Sequence, residues 1–105
     1  MPALAIALWS ALSAPTPAQP PETVHILAIE LSADGAGGTI RTRAVQLAGK
    51  DRALYFGEGA CRKHPIADRV LEQLFAAMER QGEVAFETQQ VGETACVRRV
   101  TFVGG

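Results

Sequence analysis

Charge is missing from the start of this chain: no charged side chain precedes Glu22. Long apolar runs are missing as well. Leu4 to Ala14 gives about 11 to 13 residues, where a membrane-spanning helix needs roughly 20. Pro15, Pro17, Pro20 and Pro21 follow and stop any helix there. Cysteine is scarce, with only Cys61 and Cys96. Neither lies near the leader, so no lipid anchor is expected, and C-x-x-C spacing is absent. Two Cys and two distant His do not make a zinc site. The net charge is only −1, which removes a global field for DNA, RNA or an anionic membrane. No nucleic-acid partner is expected, and no cofactor or metal.

What is present points first to a compartment. A short uncharged apolar core followed by small residues is the layout of a secretory signal. Thr16 and Ala18 fit the small-residue rule for cleavage, with Gln19 as the mature start. The expected organisation is a signal peptide over 1–18, a Pro-rich tail over 19–23, and one domain over 24–105. The mature protein would be periplasmic or secreted, with no stable membrane span after cleavage. The start lacks the usual Lys or Arg, and the alternative is an N-terminal helix packed on the domain. With 48% hydrophobic and 20% charged residues, intrinsic disorder is not expected.

Three readings of the cysteines stand: a disulfide, two buried thiols, or a reactive Cys61 beside His64. An even count in an exported chain favours the bridge. Closing that loop would stabilise the domain by roughly 3–4 kcal/mol in the chain-entropy model.

Apolar alternation predicts a strand over Val24–Leu31, with Leu27, Ile29 and Leu31 on one face. Asp34 to Gly38 reads as a turn, because glycine supplies positive φ. A second strand runs over Thr39–Leu47, with Arg41, Arg43, Val45 and Leu47 on one side and Ile40, Thr42 and Ala44 on the other. Ala48 to Asp51 turns the chain into a third strand from about Arg52 to Gly57. The spacing of Ile66, Val70, Leu71, Leu74, Phe75 and Met78 predicts an amphipathic helix. Pro65 suits its first position, and Gly82 its stop. Strands over Val84–Gln89 and Cys96–Val103 complete the chain.

Strand, strand, strand, helix, strand, strand is the order of the OB-fold, a five-stranded barrel with a helix between its third and fourth strands. The expected class is therefore β-rich α+β, an OB-like barrel. Its core is expected to hold Leu27, Ile29, Leu71, Leu74, Phe75, Phe86, Val100 and Phe102. The stretch Leu71-x-x-Leu74-x-x-Ala77, then Gly82-x-Val84, then a strand and a Cys-containing strand resembles small secreted bacterial OB-fold proteins. The B subunits of subtilase-type AB5 toxins are the members in point. The resemblance covers roughly residues 60 to 103 and implies an exported setting. Subunits of that family form pentameric rings and bind glycans, but none of their sugar-binding residues maps onto this chain.

Candidate ligand-binding residues are Arg41, Arg43 and Tyr55. On the second and third strands of an OB-fold they would share the face that takes oligonucleotides or oligosaccharides. The plainer alternative is a solvated strand face. Arg98 and Arg99, being adjacent, point to opposite faces of a regular strand, unless a bulge near Cys96 changes this. One of them is expected to pair with Glu87. His64 and His25 have no acid or nucleophile fixed beside them, and Glu22, Glu30, Asp34 and Glu58 form no carboxylate pair. No catalytic residues are proposed. The first reading of function is a non-catalytic binding module for a glycan, a peptide or a protein. The second is an assembly or inhibitory subunit working through a protein interface, and the third a small enzyme.

Overall fold

The computed structural model describes residues 22–46 and 50–104. The expected signal peptide, the start of the Pro-rich tail, and Leu47, Ala48 and Gly49 lie outside the described residues. Five strands are formed: β1 (Thr23–Leu31), β2 (Gly38–Ala44), β3 (Asp51–Phe56), β4 (Val84–Val91) and β5 (Thr94–Phe102). One α-helix, α1 (Asp68–Glu79), lies between β3 and β4. The strands close in the order β1-β2-β3-β5-β4, which is the OB-like barrel expected from the order of elements.

Alternation explains β2 well. Gly38, Ile40, Thr42 and Ala44 face inward, and Arg41 and Arg43 face water. In β3, Leu54 and Phe56 enter the core while Tyr55 stays out. The helix contributes Leu71, Leu74 and Ala77 to the same core. Ile29, Phe75, Phe86, Val100 and Phe102 pack against it, half-buried.

Leu27 departs from expectation: it is exposed, and Ile26 is buried in its place. The register explains why. Ile26 pairs with Thr42 and Ala28 with Arg41, so Leu27 is an extra residue without a partner on β2. A β-bulge of this kind breaks the two-residue period. It lets Ile26 and Ile29 both serve the core, three residues apart, and turns Leu27 outward.

Both helix ends also differ from expectation. Pro65 lies three residues before α1, not in its first turn. The chain stays extended through Ala67, which carries no side-chain cap, and this brings Ile66 onto the core before the helix begins. At the other end the left-handed residue is Gln81 at φ 55°, not Gly82. The Gly82 N–H donates to Ala77 O at 2.9 Å and the Gln81 N–H to Met78 O at 3.2 Å. These are the two bonds of a Schellman stop. Thr23 belongs to β1 and not to the tail, and Thr94 and Ala95 extend β5 beyond its expected start.

Cys61 and Cys96 form the disulfide, with Cα atoms 5.4 Å apart and both residues fully buried. Cys61 ends a 3₁₀ turn, Gly59–Cys61. Cys96 is the residue by which β5 meets β3, and among the described residues Tyr55–Cys96 is the only pair on that parallel seam. The bond thus reinforces the seam with the fewest strand pairs. A structural disulfide is compatible with an oxidising, extracellular compartment. Gly57 supports the same corner. Its φ is +76°, a Cβ there would strike the Ala36 carbonyl, and its N–H is shared between Cys61 O and His64 O.

Candidate binding face on the outer sheet

The outward residues of β1, β2 and β3 form rungs. Thr39 lies between Glu30 and Tyr55, Arg41 between Ala28 and Ala53, and Arg43 between His25 and Asp51. Arg41, Arg43 and Tyr55 therefore share one face, as the alternation required. Tyr55 lies on the rung next to Arg41, within reach of a long side chain.

The two arginines are not equivalent. Arg43 Nε donates to Asp51 Oδ1 at 2.8 Å and Nη2 to Oδ2 at 3.3 Å, so its guanidinium is held by both oxygens. That hydrogen bond and the charge of the pair raise the Arg43 pKa. The Arg43 hydrogen bond holds the Asp51 carboxyl below its ordinary value. Arg41 approaches Glu30 only at 3.5 Å, and both side chains are more than half exposed. Such a pair contributes little to stability and is readily exchanged for a ligand. Of the two arginines, Arg41 is the more loosely held.

Leu27 was missed as a surface residue, since periodicity placed it in the core. With Arg41, Asp51, Arg52 and Ala53 it lines a depression of about 140 Å³ on this outer face. Leu27 and Tyr55 are 42% and 40% exposed, large for apolar and aromatic side chains in a small barrel. The only sequence signal for Leu27 was the pairing of Ile26 with Ile29, which no unbroken strand could place on one face.

A second cavity, about 250 Å³, opens at one mouth of the barrel. Val24, Ala44, Leu54 and Phe86 line it, with Lys50 and Arg52 also on its wall. Thr42, the one buried polar residue among those described, also faces it, and its hydroxyl donates to Arg52 O at 3.3 Å. Among the described residues, the small inward side chains of β2 leave space at this end.

The remaining candidates for chemistry are dispersed. His25 Nδ1 lies 3.4 Å from Gly82 O. Among the described residues no ion pair or hydrogen bond joins His64 to a carboxylate, and no three His, Cys, Asp or Glu cluster as metal ligands. No protein-family model, curated protein or solved structure matches this chain.

Proposed function

We propose that this chain is an exported, non-catalytic binding module that takes a glycan, peptide or protein ligand on the outer face of β1–β3. The observation that carries the reading is the group formed by Leu27, Arg41 and Tyr55. An apolar side chain turned outward by a bulge and an exposed aromatic ring flank a loosely held guanidinium. A platform of that composition stacks on a ring face or an apolar side chain and hydrogen-bonds a neighbouring polar group. Export is supported by the disulfide together with the uncharged leader.

The test is a glycan and peptide array probed with the exported protein, followed by titration of the best ligand. Tyr55→Ala and Arg41→Ala should each weaken binding at least tenfold at unchanged thermal midpoint. Arg43→Ala should leave affinity within about twofold, because Asp51 already occupies its guanidinium. Variants at Tyr55 and Arg41 that bind as the parent does would refute the reading. Mass spectrometry of the exported protein should give an N-terminus at Gln19; an intact Met1 would refute export.

A further inference from the structure

Strand β5 is paired along its whole length with β4, but on its other side it meets β3 only at Cys96. From Arg98 to Phe102 that second edge has no strand partner among the described residues. Beside it runs a groove of about 340 Å³ whose far wall is Pro65, Ile66, Ala67 and Val70. Pro65 has no N–H to offer, so this wall is poorly suited to zip onto the strand itself. An open strand edge beside an apolar wall has the two parts that hold an added strand: main-chain partners, and a surface for alternate side chains.

The rim of the groove has a defined charge. The register shifts between Glu87 and Thr88: Glu87 faces Arg99 and Thr88 faces Val97, so Arg98 is the extra residue of a second bulge. Regular alternation would send one of the two arginines inward. The bulge instead leaves both exposed, and both reach the same carboxylate, Glu87, at 3.8 and 3.7 Å. One carboxylate cannot neutralise two guanidiniums, so the rim keeps a surplus positive charge in a chain whose net charge is −1. Bulges recur where a strand must re-aim side chains toward a site.

We infer that the free edge of β5 is a second binding site, independent of the outer face of β1–β3, which takes an extended segment of a partner protein as an added strand. Alternate residues of that segment are apolar, against Ile66, Val70 and Phe102. The intervening residues include carboxylates that meet Arg98 and Arg99.

The probe is an end-capped, fluorescein-labelled decapeptide of alternating Val and Glu, with Val–Gln and Val–Lys peptides as charge controls. Fluorescence anisotropy with the full chain should show the Val–Glu peptide binding at least tenfold more tightly than Val–Lys. Amide exchange should slow within Arg98–Phe102 when it binds. Arg98→Gln with Arg99→Gln should cost at least tenfold. Ala67→Trp, which fills the groove from an exposed position, should do the same, with the thermal midpoint showing that each variant is folded. Tyr55→Ala should not alter binding of this peptide, which separates the site from the outer face. Equal binding of the three peptides, or unchanged exchange across Arg98–Phe102 in the bound state, would overturn the inference. So would sedimentation showing that a second copy of the chain already covers this edge.

Discussion

Replacing Cys61 and Cys96 together by alanine should bring this domain close to the limit of folding. The bond closes a loop with a sequence separation of 35. In the chain-entropy model a loop of that length removes about 12.7 cal/mol/K from the unfolded ensemble, or about 3.8 kcal/mol at 25 °C. Both cysteines are fully buried, so the alanines also leave voids. A deletion of roughly methyl size costs about 0.5–1.5 kcal/mol at each site. The expected total is therefore about 5–7 kcal/mol, against about 5–15 kcal/mol for a whole small domain. Reduction without mutation separates the two contributions, because the sulfurs then remain as packed thiols. Urea unfolding of the oxidised, reduced and double-alanine proteins should give losses of about 4 and then about 5–7 kcal/mol. The reduced protein should also show the steeper denaturant slope, since its unfolded chain exposes more surface. Amide exchange should accelerate first at Tyr55 and Cys96, where the seam has a single strand pair. A reduced protein within about 1 kcal/mol of the oxidised one, with an unchanged slope, would refute the reasoning.

Leu74→Ala should cost about 2–5 kcal/mol in chemical denaturation, because Leu74 is fully buried at the centre of the helix stripe. Gln81→Gly should stabilise the protein by about 1 kcal/mol in the same assay, since glycine removes the Cβ penalty of the left-handed stop at φ 55°. Asp51 and Asp34 both have lowered pKa values, Asp51 chiefly through the Arg43 hydrogen bond and Asp34 chiefly through the Ala36 N–H. Their contribution is complete above the ordinary aspartate value of 3.8 and is lost as pH falls through the lowered folded-state values. Thermal midpoints between pH 5 and pH 2 should therefore fall less steeply in an Asp51→Asn, Asp34→Asn double variant than in the parent.

Element order, the helix stripe and the disulfide were legible in the sequence because each rests on a local pattern or on a count. Alternation sorted Ile40, Thr42 and Ala44 from Arg41 and Arg43 correctly, since β2 carries no bulge. It misplaced Leu27 because the extra residue in β1 answers to the curvature of the closed barrel, and no run of apolar residues records curvature. The same device in β5 left the facing of Arg98 and Arg99 open until the register was seen. Gln81 escaped notice for a different reason. Gly82 looked like the helix stop, but the Schellman geometry counts back from Ala77 and places the left-handed residue one position earlier. The shared outward face of Arg41, Arg43 and Tyr55 was legible from alternation together with the OB-like strand order. Asp51 stands directly opposite Arg43 and Glu30 one rung away from Arg41, so the tighter hold on Arg43 follows from strand register.

The placement of the disulfide at the β3–β5 contact also gives the molecule a direction in time. Between Cys61 and Cys96 lie the whole helix, all of β4 and the first residues of β5, and in the folded chain the two sulfurs meet where β5 comes alongside β3. Oxidation of the folded chain works as a ratchet: the bond holds the last strand where it has docked. Once docked, both sulfurs are sealed from solvent, so an attacking thiolate must wait for the barrel to open. The lifetime of the bond in a reducing medium therefore depends on how readily the barrel opens as well as on the concentration of reductant.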